Sequence, residues 1–334
     1  MTSSMVTTRA NGAAYWLRLS PTPEGLGHIN ACIGIAQVLQ EAGHRVVFAV
    51  KEHWKGKFAS YGIEEVEMGG DLDELKPAVG DPVKFMAERI REAGFLSDIQ
   101  PLEKLQKRMQ FQNRIVDMYI KLDKTIEPVI PSVKPDVIFV DQYLSLPSIE
   151  TSGIPYVWVW TANPLFMFDD DRAPPYYSGD KSEWKAFRET RDKGVYDIWK
   201  TYNDYVISRG CQPLKQLLFK NQTKCLNIYG FPQEMDYTDD RPLPKNFIRF
   251  DNLKRNEKLL AFEIPVPLRD RPGKLIYFSM GSMGGVDLDL MKRLVTILSK
   301  SKHRFIVSKG PLHEEYDLPV NMWGAATVPQ IQLI

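Results

Sequence analysis

The stretch YWLRLSPTPEGLGHINACIGIAQVLQEAGHRVVFAV, residues 15–50, decides the fold class. Tyr15 to Leu19 reads as a short strand. Ser20 to Gly27 reads as a loop, broken by Pro21, Pro23, Gly25 and Gly27. From His28 onward the apolar residues Ile29, Cys32, Ile33, Ala36 and Leu39 recur at helical spacing. Gly43 stands where a helix C-terminal cap belongs, and Arg45 to Val50 reads as a buried strand. Strand, helix and strand in that order make a βαβ unit, and such units build parallel sheets.

The alternation continues outward from this unit. Leu102 to Ile126 has helix-forming composition, and Val137 to Val140 is an apolar run ending at Asp141. Leu144 to Ser152 reads as a short helix and Tyr156 to Trp160 as a strand. Asp169 to Lys193, with Pro174-Pro175, reads as a charged surface excursion. Tyr196 to Phe219 reads as a helix and Leu226 to Tyr229 as a strand. Pro232 to Pro272 is rich in Pro, Asp and Arg and lacks periodicity, as a crossover between domains would. A second βα start follows: Leu275–Ser279 as strand, Met280–Gly285 as a Gly-rich turn, Leu288–Ser299 as helix, Arg304–Val307 as strand. Two such starts far apart in the chain suggest two Rossmann-like domains facing each other. The expected division is a flexible N-terminus over 1–14, an N-terminal domain over 15–250 and a partial C-terminal domain over 251–334. A doubly wound domain ordinarily needs more residues than the second part has, so a C-terminal truncation is expected.

Composition narrows the function. A length of 334 residues suits two domains. Lys plus Arg number 43 against 42 Asp plus Glu, a balance that argues against a dedicated nucleic-acid binder. Cys32, Cys211 and Cys225 are too few and too scattered for a disulfide framework or a metal knuckle. Asn221-Gln222-Thr223 is a glycosylation sequon, which matters only in a secreted chain. The polar start of the chain lacks the apolar core of a signal peptide, and no apolar run of membrane-spanning length occurs. A cytoplasmic location is therefore expected for the visible chain.

Ligands of open parallel sheets bind beyond the carboxyl ends of the strands. His28 opens the first helix, Asp141 follows the 137–140 strand and Thr161 follows the 156–160 strand, so all three project to one edge of one sheet. A His backed by an Asp is a general base, the carboxylate fixing the tautomer and stabilising the imidazolium. A capping His and a strand-end Asp are the plain alternative, and spacing does not choose between them. Met280-Gly281-Ser282-Met283-Gly284-Gly285 resembles an anion cradle at a helix start, with a tight turn as its alternative. Asp169-Asp170-Asp171 invites a metal reading, but its charged setting favours a solvated loop. Trp160, at a strand end beside Thr161, is the tryptophan whose position suggests ligand contact rather than core.

Gly27-His28-Ile29-Asn30, Val140-Asp141, Trp160-Thr161-Ala162-Asn163, Phe278-Ser279-Met280-Gly281-Ser282-Met283 and Val328-Pro329-Gln330 come in the same order as in UDP-glycosyltransferases. The chain resembles these inverting enzymes of the GT-B type, the invertebrate detoxification branch above all, over nearly its whole length. The resemblance implies two Rossmann-like domains facing across a cleft, with the second incomplete. It implies transfer of a hexose from a UDP-sugar to the hydroxyl of a small lipophilic acceptor. His28 would be the general base and Asp141 its partner. Trp160 and Thr161 would touch the donor sugar, Gly281 and Ser282 would hold the diphosphate or uridine, and Gln330 would contact the nucleotide. No metal and no further cofactor is implied. The acceptor pocket would draw on variable segments such as Phe85 to Leu105 and Phe166 to Trp199.

Two departures from the family pattern stand out. Thr327 occupies a position where the family often stacks an aromatic ring on uracil, and the family's His-Gly-Gly donor segment does not occur before Ile334. A catalytically incomplete fragment, or a protein that binds small hydrophobic ligands without turnover, is therefore the alternative. A nicotinamide-dependent oxidoreductase is disfavoured because neither Gly-rich turn has the G-x-G-x-x-G spacing.

Overall fold

A computed structural model describes residues 13–18, 26–69, 99–109, 112–169, 180–221, 225–257 and 262–333. The residues of the sequon beyond Asn221, Asp170-Asp171, Pro174-Pro175, the loop over 19–25 and the variable segment over 85–98 lie outside the described residues. Two compact units divide the chain, the first ending at Asn256 and the second resuming at Glu257.

The first unit is built on a parallel sheet. Its strands are β1 (Ala13–Arg18), β2 (Arg45–Val50), β3 (Glu64–Glu67), β4 (Val137–Asp141), β5 (Tyr156–Trp160), β6 (Leu226–Tyr229) and β7 (Phe247–Arg249). Among the described residues they form seven strands in the order β3-β2-β1-β4-β5-β6-β7. The order reverses between β1 and β4, the switch point at which open α/β sheets place their sites. Helix α1 (Leu26–Glu41) crosses from β1 to β2 and buries Ile29, Cys32, Ile33 and Ala36 against Val46, Phe48 and Val50. The other face of the sheet is covered by helices Gln112–Ile126 and Trp184–Ser208, whose Tyr119, Leu122, Ile126, Ile198, Tyr202 and Val206 pack on Val47, Ile138 and Val140.

Several local expectations are revised. The excursion expected from Asp169 to Lys193 is in part helix, because Trp184–Ser208 starts a dozen or so residues early. Asp180 caps the short turn before it by accepting from the Ser182 amide at 2.9 Å. Phe187, Val195, Ile198, Tyr202 and Val206 keep one face of that helix buried throughout. The helix stops at Ser208 rather than Phe219, where Gly210 takes a left-handed turn (φ 87°) and the chain runs on to Pro213. Strands β3 and β7 had no counterpart in the sequence reading. Both are edge strands, and β3 is the charged run Glu-Glu-Val-Glu, held by an Arg45–Glu64 ion pair at 2.6 Å.

The crossover segment packs on the first unit as far as Asn256. The fit against α1 is close. A Cβ on Gly34 would lie 2.5 Å from the Leu253 carbonyl oxygen, so only glycine admits the segment there. Gln37 then clamps it with two hydrogen bonds, its side-chain amide to the Asn256 carbonyl at 2.8 Å and the Asn256 amide to its Oε1 at 2.7 Å.

The second unit carries β8 (Leu275–Ser279), β9 (Arg304–Ser308) and β10 (Met322–Ala325), which among the described residues form a three-stranded parallel sheet in the order β10-β9-β8. Helix Leu288–Ser299 buries Met291 and Val295 against Phe305, Val307 and Met322. The Gly-rich segment after β8 contains a short helix, Gly281–Gly284, and not an open turn.

Candidate functional site

The fold brings three of the predicted residues together. His28 lies in the first turn of α1, Asp141 is the last residue of β4, and Thr161 follows β5. The strands place them at the carboxyl edge, beside the switch point. His28 Nδ1 is 2.8 Å from Asp141 Oδ2 and 2.6 Å from Thr161 Oγ1. Thr161 Oγ1 is 2.9 Å from both carboxylate oxygens of Asp141. Cys32, one turn along α1 from His28, points its thiol at Asp141 Oδ2 at 3.8 Å.

This network fixes the tautomer of His28. A threonine hydroxyl has one proton. Thr161 gives it to the Asp141 carboxylate, so it can only accept at His28. The Asp141 carboxylate oxygens also accept. Nδ1 must therefore carry the imidazole proton, which leaves the Nε2 lone pair as the basic site. Asp141 is buried, with 4% of its side chain exposed, whereas His28 keeps 21%. The carboxylate is shielded and the imidazole reaches solvent, the arrangement a base needs if it is to take a proton from an incoming molecule.

The frame around Asp141 is rigid. Gln142 is buried behind it; its carbonyl accepts from the Trp158 indole at 2.9 Å and its side-chain oxygen from the Tyr119 hydroxyl at 2.8 Å. Burial holds the Tyr119 hydroxyl well above the ordinary phenol range, with the Asp141 charge acting in the same direction, so Tyr119 stays a donor. The Tyr143 amide donates back to the Tyr119 oxygen at 3.3 Å. Tyr143 and Cys32 were not singled out in the sequence as site residues. Cys32 carried a signal, four residues from His28 on one helix face. Tyr143 carried only its place two residues beyond Asp141.

Trp160 sits differently from its neighbour. It is 4% exposed, stacks on Trp158 at 5.5 Å and donates its indole N–H to Asn227 Oδ1 at 3.0 Å. Strand alternation explains this: Trp158 and Trp160 share one face of β5, and Thr161 comes after the strand ends. Lys220 lies over the Trp160 ring, 4.2 Å from its centroid. Burial lowers the Lys220 ammonium to about 7, Asp169 opposing and Arg191 reinforcing the shift.

Gly281, Ser282 and Gln330 belong to the second unit. Gly281 follows β8 with a positive φ of 67°, and its amide donates to Ser279 Oγ at 3.1 Å. The side chain of Ser282 lies outside what is described. Gly285 and Gly310 bring the segments after β8 and β9 into backbone contact, since a Cβ on Gly310 would lie 3.0 Å from the Gly285 Cα. The longer helix Leu288–Ser299 is capped by Asp287, whose carboxylate accepts from the Leu290 amide at 3.0 Å. That carboxylate already occupies the helix start, so any anion near this segment would meet the backbone over 280–285 and not that helix end. Gln330 is exposed and opens the short helix Gln330–Leu333. Among the described residues no cluster of His, Cys, Asp or Glu could hold a metal ion, and no helix is long and apolar enough to cross a membrane.

No protein-family model and no curated protein matches the sequence. Solved structures match its fold. The glycotransferase of kitacinnamycin aligns over 96% of this chain and 73% of its own, with a TM-score of 0.62 and 15% identity. The calicheamicin glycosyltransferase CalG4 aligns over 96% and 72%, with a TM-score of 0.57 and 14% identity. The glycosyltransferase VinC, solved in complex with DTDP, aligns over 96% and 73%, with a TM-score of 0.53 and 17% identity. The chain thus has an α/β fold of parallel sheets similar to that of GT-B glycosyltransferases.

Proposed function

We propose that the protein is a nucleotide-sugar-dependent glycosyltransferase in which His28 deprotonates an acceptor hydroxyl. The observation that carries this reading is the His28–Asp141–Thr161 network at the switch point of the first sheet, with Nδ1 tied down and Nε2 left as the base. In the proposed reaction Nε2 takes the acceptor proton as the oxygen attacks the anomeric carbon. Asp141 stabilises the imidazolium that results. Attack opposite the departing nucleoside diphosphate inverts the anomeric configuration.

The order of motifs favours a UDP-hexose as donor and a small lipophilic alcohol or phenol as acceptor, in the manner of the detoxifying UDP-glycosyltransferases of invertebrates that the sequence resembles. Gly281, Ser282 and Gln330 are assigned to the diphosphate and nucleotide. Thr161 is assigned first to positioning, because its hydroxyl is engaged with both His28 and Asp141; any contact with the donor sugar would come second. Trp160, packed in the core, is assigned to supporting the strand end that carries Thr161.

The experiment is a transfer assay with UDP-glucose and 1-naphthol, the product's anomeric configuration being read by NMR. A β-glucoside from the α-configured donor supports the reading. An α-glucoside would exclude the single-displacement mechanism, and the absence of any glucoside would exclude the transferase reading for this chain.

A further inference from the structure

The Nε2 atom of His28 faces a second polar atom. Tyr143 Oη lies 3.4 Å away, and the two rings meet edge to face, with centroids 6.1 Å apart and planes at 86°. The backbone that carries the phenol is held from behind. The Tyr143 amide bonds the Tyr119 oxygen, and Gln142 is pinned by both Tyr119 and Trp158. On its side Tyr143 meets the half-buried ring of Phe166 at 5.1 Å and 52°. A half-buried aromatic pair therefore borders the one nitrogen of His28 that is not engaged with Asp141 and Thr161.

A separation of 3.4 Å is long for a direct hydrogen bond. It is well suited to a shared third atom, because an oxygen about 2.8 Å from both Nε2 and Oη closes the triangle without strain. We propose that this point is the seat of the acceptor oxygen, with Tyr143 as its second polar contact and the Tyr143–Phe166 pair as the wall on which an acceptor with a flat apolar body rests. The inference rests on the glycosyltransferase reading and deepens it by naming two residues, Tyr143 and Phe166, that would seat and flank the acceptor. The acceptor O–H donates to Nε2, and the Tyr143 O–H donates to a lone pair of the same oxygen. When the proton passes to Nε2 and the oxygen bonds to the anomeric carbon, the negative charge that develops on the way faces the Tyr143 donor. The tyrosine proton stays on the tyrosine throughout, so the balance of the reaction is unchanged: one proton to His28, one glycosidic bond made, one bond to the diphosphate broken.

The test compares wild type with Tyr143→Phe and Phe166→Ala in two arms. The first measures kcat/KM for glucosylation of 1-naphthol. The second measures the Kd of 1-naphthol by calorimetry without any donor. Tyr143→Phe removes one oxygen and leaves the ring, so the wall persists. Expected is a roughly tenfold fall in kcat/KM and a weaker Kd, the loss of one hydrogen bond to a polar group. Phe166→Ala is expected to raise the Kd and to lower kcat/KM in proportion, as loss of part of the wall would. Equal Kd and equal kcat/KM in Tyr143→Phe would overturn the proposal, even with wild type an active transferase. Were wild type to transfer nothing, the enzymatic reading would fall, and the calorimetric arm would still decide whether Tyr143 contacts the hydroxyl. A thermal melt of each variant separates these losses from unfolding.

Discussion

Replacing Gly34 by alanine tests the packing of the crossover on the first unit. The new Cβ would stand 2.5 Å from the Leu253 carbonyl oxygen and 2.8 Å from the Lys254 carbonyl carbon and oxygen. All of these are backbone atoms, so no side chain can swing away. The segment must retreat by about 1 Å to regain van der Waals separation, and such overpacking costs roughly 1–3 kcal/mol. The retreat also strains the two Gln37–Asn256 hydrogen bonds, worth about 1 kcal/mol each when made in partly exposed positions. Against this, alanine favours a helix over glycine by about 1 kcal/mol. The net expectation is a loss of about 2 kcal/mol in urea unfolding, together with faster proteolysis near residues 251–257. Gly27→Ala in the same helix is the control, because a Cβ there meets nothing within 4 Å. It should leave stability unchanged or raise it slightly. A Gly34→Ala variant as stable and as protease-resistant as wild type would refute the packing argument.

Three further outcomes are expected. Asp141→Asn should keep the fold and lower transfer by about a thousandfold or more, since an amide can neither fix the tautomer nor stabilise the imidazolium; steady-state kinetics on 1-naphthol check this. Lys220→Met should flatten the pH dependence of stability: the folded lysine releases its proton near 7 while the unfolded one holds it to its ordinary 10.5, so wild-type stability rises with pH across that window by at most about 1.4 kcal/mol per unit, which urea titrations at pH 7, 8 and 9 would show. Asp123→Ala should cost about 3 kcal/mol, because the buried carboxylate accepts from the Ser148 amide at 2.8 Å and the Tyr205 hydroxyl at 2.7 Å and both donors would be stranded; a melt unchanged from wild type would contradict it.

The legible parts of the sequence were those where pattern and burial agree. Strands β2 and β5 are mostly apolar, mostly buried runs bounded by turn residues, and helix Leu288–Ser299 has a clear apolar face; their limits could be read directly. The grouping of His28, Asp141 and Thr161 followed from strand order alone, since parallel strands deliver their ends to one edge. The illegible parts depend on partners far along the chain. β3 is three glutamates and a valine, against its own strand propensity, and becomes a strand through Arg45 and a neighbour to pair with. The first half of Trp184–Ser208 is charged and hides its one buried ring, Phe187, among polar residues. The clamp of Gln37 on Asn256 joins residues 219 apart and leaves no local trace. At the site the sequence indicated which residues would meet but not how their protons are shared. That Thr161 closes the His28–Asp141 pair, and that Tyr143 faces Nε2, depend on distances that only the folded chain defines.

The most direct measurement sets transfer against donor binding in His28→Ala, using UDP-glucose and 1-naphthol for turnover and calorimetry for UDP. The account predicts that wild type forms the β-glucoside and that His28→Ala loses at least a thousandfold in turnover while its Kd for UDP is unchanged. Undiminished turnover in His28→Ala would contradict the account at its centre, for His28 would then not be the base.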